Sequence, residues 1–488
     1  MVASVLGMFA AIPYLAGEAV WDDHTLIVDR LAQLDVNGIA ALWTHPVGGG
    51  EAGGAYYRPV SVTLLALLGR HGMGAIHLFT ALLHAVSAAL VCVLAGRSRL
   101  ALVGAGLFAL HPICAEVLGW ASALPDALAV CLGLAGLWLA GTRDRPLAAI
   151  VLFTLAVASK EVAVVWPLVG LVAFRVPRRT AGWSVLAVLC VLALRPVLGV
   201  HSVRPMDPTL TEAVAGPLSQ LGALLWPLPL TAVRDTHHLS MLQLALGAGL
   251  LALLAVGVWA GRRAALGPAL GVVAAPMLAI PTLLSSHLAA DRYVYLSLAC
   301  LGLVVGALPR VLKVEQLLSR RVVVWGAGGL ALVLASVHVQ AAEMWRTDVA
   351  LFETAVKVTP RSSYAHYFAG HARAQAGTWP LAAQHFEAAA RLTHPHPLSR
   401  RLAVEAWVRG GEPHRGVALA RAAPKDGVTA DWIAWWARAE LDAGNADQSL
   451  SLVVKLRRSD GSWDGPHFVA DLADRARQAV SATPRSDD

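Results

Sequence analysis

Asp22 and Asp23 are adjacent carboxylates set between Trp21 and His24, directly after an apolar N-terminal stretch covering residues 1–20. A carboxylate is costly in hydrocarbon, so acids placed where an apolar helix ends are either solvated or part of a functional site. They could simply open the next helix, where acids occupy the first turn and cap free N–H groups. What favours a site is a series of further polar groups spaced through an otherwise apolar chain, several of them of the kinds that grip phosphate.

Arg58, in the run Tyr56-Tyr57-Arg58-Pro59, precedes the next apolar segment and could pair with a lipid phosphate structurally or catalytically. His111 and Pro112 interrupt a later apolar run and are followed by Glu116 and Trp120. Proline explains a kink there, but Glu116 needs a partner or a wet cavity. Asp126 opens another run, where N-capping is the simplest role. Ser159-Lys160-Glu161 separates two short apolar runs. It is either a local ion pair ending both helices, or a cation held for a phosphate by an acid that keeps it charged. Asp291-Arg292-Tyr293 opens a further run in the same way, and arginine is the side chain that best grips phosphate oxygens. Arg195 is an additional basic candidate. His237 and His238 are adjacent, so on most backbones their rings point apart, which favours a solvated loop over a metal site. Trp432, Trp435 and Trp436 read more readily as core than as a carbohydrate platform.

The elements that must position these groups follow from composition and hydropathy. Of 488 residues, 57% are hydrophobic and 15% charged, with mean hydropathy +0.59, which marks a polytopic membrane protein with a soluble appendix. The net charge of +7 lies largely in short loops between apolar runs, a topological pattern that gives no support for nucleic-acid binding. The five cysteines (Cys92, Cys114, Cys131, Cys190, Cys300) all fall in apolar stretches, without metal-ligand spacing. Apolar runs at 1–20, 76–96, 100–119, 125–141, 146–159, 162–174, 182–200, 241–260, 268–285, 292–309 and 321–340 predict about eleven spans. The first lacks a basic leader and cleavage site and reads as a retained span. Segment 213–231, with Pro217, Pro227 and Pro229, reads as an interfacial or re-entrant helix.

Basic residues occupy alternate loops: Arg97 and Arg99; Arg143 and Arg145; Arg175, Arg178 and Arg179; Arg262 and Arg263; then Arg310, Lys313, Arg320 and Arg321. Those loops should be cytoplasmic, which puts Asp22, Asp23, Lys160, Glu161, Asp291 and everything after residue 340 on the opposite face. After Trp345 the period changes: Phe352, Glu353 and Ala355 recur as Phe386, Glu387 and Ala389, a spacing of 34, and Gly377 recurs as Gly411. Pro360 is echoed by Pro395. This is tetratricopeptide-like (TPR-like) periodicity, with later units degenerate and a capping helix at Asp471 to Val480. The predicted architecture is therefore all-α: a membrane helix bundle over 1–342, an extracytoplasmic TPR-like α-solenoid over 343–480, and a disordered tail over 481–488.

The order Trp21-Asp22-Asp23, Tyr57-Arg58-Pro59, the segment IHLFTALLH carrying His77 and His84, His111-Pro112 with Glu116, Ser159-Lys160-Glu161, Asp291-Arg292-Tyr293-Val294-Tyr295 and Trp345-Arg346 resembles the transmembrane and tetratricopeptide-repeat protein family. Those proteins look like GT-C fold O-mannosyltransferases that use a polyprenyl-phosphate sugar. Asp291 stands where that family commonly has Glu, the loop ASALPD from Ala121 to Asp126 replaces a basic-acidic loop, and the repeat array is shorter.

The resemblance implies an inverting glycosyltransferase that moves mannose or another hexose from a polyprenyl-phosphate donor to an acceptor hydroxyl, such as a protein Ser or Thr, on the extracytoplasmic face. Asp22 or Asp23 would accept the hydroxyl proton, with Glu116 orienting the sugar; Arg58, Lys160 and Arg292 would hold the leaving phosphate. His111, Glu161, Asp291 and Arg195 would support them. No metal is required in principle, though a divalent cation (Mg or Mn) on Asp22 and Glu116 is compatible with the chemistry. The expected partners are the lipid-linked sugar, an acceptor protein or peptide and membrane lipids. An Ala-, Arg- and Gly-rich composition with few Lys suggests a bacterial plasma membrane. Two other classes fit parts of the chain. One is a membrane-anchored TPR scaffold without catalytic activity; the other is a transporter, for which polar groups at mid-membrane depth would be expected instead.

Overall fold

Several helices begin or end where the sequence supplies a capping oxygen, a proline or a glycine. Ser98 caps the helix Arg99–Leu110 by accepting from the Ala101 N–H at 3.1 Å, and prolines sit in the first turns of Pro59–Gly69, Leu124–Thr142 and Pro146–Ser159. Pro112 has no N–H to continue Arg99–Leu110, so the chain turns and restarts as Cys114–Gly119. The computed structural model describes the chain apart from residues 48–55, 175, 201–209, 236–238, 260–262, 279–287, 313–319, 393–395, 397, 424–428, 459, 461 and 483–488. Of residues 210–212, 258, 263–265, 288, 308–312, 320–324 and 327 it describes the backbone alone. The described residues form an all-α protein with one antiparallel pair of two-residue strands, Arg234–Asp235 against Leu288–Ala289. Two compact units emerge, Met1–Leu351 and Phe352–Asp488, so the division lies later than residue 342 and within the helix Asp348–Val358.

In the first unit, small residues let helices approach closely. Gly104 of Arg99–Leu110 lies against the backbone of Gly302 in Tyr295–Leu312, and a Cβ built on Gly302 would stand 2.7 Å from the Gly104 carbonyl oxygen. Gly7 of Val2–Ala11 abuts Ala85 of Met73–Leu94, and Gly136 faces Phe153 across the hairpin Leu124–Thr142/Pro146–Ser159. Ile27, Leu31, Val62, Leu65 and Ile76 bury the segment that follows the first helix against Pro59–Gly69.

Three helices, Met73–Leu94, Ala121–Thr142 and Arg178–Val197, are long and apolar enough to cross a membrane among the described residues. Several expected spans are thus shorter helices, for readable reasons. The first run is helical over Val2–Ala11 and tightens into a 3₁₀ turn at Ile12–Tyr14, where Pro13 lacks an N–H. The run 100–119 is divided at Pro112, and Tyr295–Leu312 is entered through a 3₁₀ turn, Asp291–Val294. The expected helix over 213–231 is instead Leu210–Ala223, after which Pro227 and Pro229 keep the chain irregular; it packs on Met241–Trp259. Large apolar side chains stay exposed on helix flanks, among them Phe9, Leu78, Leu82, Val86, Trp183, Leu253 and Trp259.

The second unit consists of helix hairpins: Ser363–Gln375 with Trp379–Arg391, Ser399–Arg409 with Pro413–Arg421, and Ala430–Asp442 with Ala446–Val454, followed by Val469–Ala482. Ser481 and Ala482, expected in the tail, belong to that last helix; residues 483–488 and Pro395 lie outside the described residues. Each hairpin turns through a glycine with left-handed φ: Gly377 at 72°, Gly411 at 78° and Gly444 at 87°. The next N–H returns to a carbonyl in the helix, Thr378 to Arg373, Glu412 to Trp407 and Asn445 to Glu440 at 2.8–2.9 Å, which is the Schellman arrangement. Gly370 makes room for the Phe386 ring, and Trp432 and Trp435 are buried, as expected for core.

The Gly104–Gly302 contact involves backbone that cannot move aside. Gly104→Ala should therefore cost about 1–3 kcal/mol, whereas Gly182→Ala, with nothing within 4 Å of the added methyl, should be neutral or stabilise by up to about 1 kcal/mol. Thermal unfolding of the two purified variants against wild type checks this.

Candidate functional site

Adjacent in sequence, Asp22 and Asp23 meet different surroundings. Asp23 is fully buried and accepts four hydrogen bonds: Ser122 Oγ at 2.6 Å and Ser122 N–H at 2.8 Å on Oδ1, Val20 N–H at 3.2 Å and Ala121 N–H at 3.3 Å on Oδ2. Its carboxylate holds the loop at 121–122 against the end of the first apolar segment. Asp22 is partly accessible and accepts from the Trp120 indole N–H at 3.1 Å. Burial raises the pKa of Asp22, against the opposing fields of Arg292 and hydrogen bonds from Ser122 and Trp120. Burial also pushes Asp23 up to about 7, with the hydrogen bonds from Ser122 opposing and the Asp22 charge adding to it. After Asp23 the chain takes a wide π-helical turn, His24–Val28.

Trp120 links this acid pair to the first cation. Its ring stacks on Trp21 at 5.1 Å and 16° and on Trp345 at 6.3 Å and 19°, and the Arg292 guanidinium lies 4.5 Å from its centroid. Arg292 forms an ion pair with buried Glu116, whose other oxygen accepts the Arg292 backbone N–H at 3.2 Å. The break at Pro112 sets the short helix carrying Glu116 against the turn Asp291–Val294. Next comes Lys160, with Nζ 2.5 and 2.6 Å from the two oxygens of Asp126. Arg292 and Lys160 both approach the Tyr293 ring, at 4.8 and 5.8 Å from its centroid. Glu161 is shared by Arg58, through bonds at 3.0–3.2 Å, and by Arg195 at 3.1 Å.

The structure corrects two local expectations. Lys160 and Glu161 do not pair with each other. Lys160 has extended backbone (φ −158°, ψ 138°), which sends consecutive side chains to opposite sides, and each finds a partner on another helix. Asp126 makes no N-terminal cap; it sits in the first turn of Leu124–Thr142 with its carboxylate committed to Lys160. Asp291 pairs with Arg234, at 2.6 and 3.2 Å, a residue that its local sequence does not single out. The strand pairing Arg234↔Ala289 brings the two together.

His111 lies away from the acid pair in its bonding: Nε2 meets the Leu224 carbonyl at 3.2 Å and Nδ1 accepts the Ile113 N–H at 3.3 Å, so the neutral ring ties the proline break to the end of Leu210–Ala223. His237 and His238 lie outside the described residues. Among the described residues no group of three or more His, Cys, Asp or Glu side chains is arranged to hold a metal ion. Spacing does not mark Asp348 either; following Trp345-Arg346 it reads as an ordinary helix-opening acid, yet it contacts Trp21 and His24.

No protein-family model matches the chain, and among the curated proteins and the solved structures none matches it.

Lys160 and Asp126 are nearly inaccessible, with side chains 11% and 5% exposed. Asp126→Ala, which strands the ammonium, should destabilise the protein by about 3–5 kcal/mol, while the double substitution Asp126→Leu, Lys160→Met should recover most of that loss. Unfolding midpoints of the single and double variants read the difference.

Proposed function

We propose that the chain is an integral-membrane inverting glycosyltransferase of GT-C type, multi-pass in a bacterial plasma membrane, with a TPR-like extracytoplasmic repeat unit. It would transfer a hexose such as mannose from a polyprenyl-phosphate donor to an acceptor hydroxyl. The observation that carries this reading is the accessible Asp22 carboxylate, held by Trp120 beside Arg292, with Lys160 over the neighbouring Tyr293 ring. A base and two cations thus converge from three separate parts of the chain, with Trp120 between the first two. Transfer to a hydroxyl by displacement of a polyprenyl phosphate needs both: a base for the attacking proton and fixed positive charge for the departing phosphate.

In this mechanism Asp22 Oδ accepts the acceptor proton as its oxygen attacks the anomeric carbon. The glycosidic C–O bond to phosphate breaks on the opposite side, and the configuration inverts. Arg292 and Lys160 take up the charge developing on the departing phosphate monoester; Arg58, with Glu161 and Arg195, extends the positive surface. Asp23 stays in its four-bond cradle and shapes the loop. A burial-raised Asp22 is the stronger base for it, because a carboxylate of ordinary pKa, about 4, is a poor proton acceptor near neutrality. The hairpins of the second unit suit the alternative of a membrane-anchored scaffold, for which Asp22 would be dispensable.

Sugar transfer from radiolabelled polyprenyl-phosphate mannose and polyprenyl-phosphate glucose, in membranes containing the chain, tests the proposal. Asp22→Asn should fold normally and lose at least about a hundredfold in kcat. Asp23→Asn should lower the unfolding midpoint as well, since its amide nitrogen cannot accept the donors that surround the carboxylate. Because a raised base is protonated at higher pH than usual, the acidic limb of the kcat profile should lie above the ordinary carboxylate range. Full transfer by Asp22→Asn would overturn Asp22 as the base, and absence of transfer by a stably folded wild type would favour the scaffold.

A further inference from the structure

Asp348, in the first turn of Asp348–Val358, is outside the cation pairs just described, yet its carboxylate reaches both flanks of the acid pair. Oδ1 accepts the Trp21 backbone N–H at 2.6 Å, and Oδ2 meets His24 Nε2 at 2.8 Å. One side chain from the far end of the first unit therefore clamps the residue before Asp22 and the residue after Asp23. Trp21 has φ of 60°, a left-handed conformation that bulky L residues avoid and that surrounding contacts must enforce. In that conformation its ring stacks on Trp120, whose N–H donates to Asp22 and whose face carries Arg292.

We infer that Asp348 is a positioning residue for Asp22: by clamping Trp21 and His24 it fixes the turn, and through the Trp21–Trp120 stack it aims the carboxylate toward the Arg292 side. This rests on the reading of Asp22 as the base. The hydrogen bonds of Asp348 go to Trp21 and His24, on either side of the acid pair, so its effect is on orientation, which transition-state geometry rewards steeply.

Amide hydrogen exchange over residues 19–26 and steady-state transfer, both on the full-length protein, test the inference with Asp348→Ala and Asp348→Asn. Asp348→Ala should speed exchange in that segment about tenfold or more, lower kcat about tenfold or more and leave the donor KM within about twofold. Asp348→Asn keeps the shape and one carbonyl acceptor and should give a smaller change of the same sign. That variant serves as the test should the alanine variant fail to fold. Exchange equal to wild type would overturn the inference whether or not transfer is detected. Faster exchange with unchanged kcat would overturn it as well. If the wild type transfers no sugar, the catalytic reading of Asp22 fails on that measurement, while the exchange rates still decide whether Asp348 holds the turn.

Discussion

Charge withdrawn from water must meet opposite charge or a full set of hydrogen bonds, and the first unit is organised by that constraint. Glu116 with Arg292, Asp126 with Lys160, Asp291 with Arg234, and Glu161 with Arg58 and Arg195 join segments far apart in sequence. Each pair forms where a helix has just been interrupted: at Pro112, at the start of Leu124–Thr142, at Lys160 and in the turn before Tyr295. The apolar helices supply walls of Leu, Ala and Val, with close glycine contacts such as Gly104 on Gly302 favouring particular registers within them. The ion pairs select one arrangement of their ends, because a shift of one turn would strand a buried charge.

The same constraint explains what can and cannot be read from the chain. Interruptions are legible, since Pro112, the Ser159-Lys160-Glu161 break and the polar opening at Asp291 stand out against apolar surroundings. Glycine-turn hairpins after Ser363 are legible too, because Gly377 and Gly411 repeat at a fixed spacing and must adopt left-handed φ. Partnership is not legible. Lys160 beside Glu161 suggests a local pair, but the extended backbone at Lys160 turns the two side chains to different neighbours. Arg234 and Asp348 carry no local mark, because Arg234 is brought to Asp291 by a two-residue strand pairing and Asp348 looks like any acid in a helix first turn. Span lengths are not legible from hydropathy alone for a related reason: hydropathy sums over prolines that the backbone must answer to.

Paired cations bear on how a phosphate could be held in the proposed reaction. A lone arginine or lysine in this setting would pay desolvation alone, whereas one already bonded to a carboxylate is kept charged and oriented. The phosphodiester of an entering donor would meet Arg292 and Lys160 with their geometry preset by Glu116 and Asp126. It would have to share them with those acids, so binding would be moderated while the charge that develops on bond cleavage would still be met by fixed donors. In the proposed reaction that balance would favour the transition state over the ground state, which is the condition for raising kcat.

The different surroundings of Asp22 and Asp23 follow from geometry of one residue's difference. Four donors converge on Asp23 because it faces the loop at 121–122, and a carboxylate so engaged has little lone-pair capacity left for a substrate proton. Asp22 faces the indole of Trp120, which offers a single N–H and an apolar face, leaving one oxygen without a donor from that ring. A flexible turn could exchange the two roles by a small rotation of the backbone. Trp21, held at φ 60° with its ring against Trp120 and its N–H on Asp348, removes that freedom. The strain carried at Trp21 thus has a physical counterpart in the separation of a structural acid from an available one at consecutive positions.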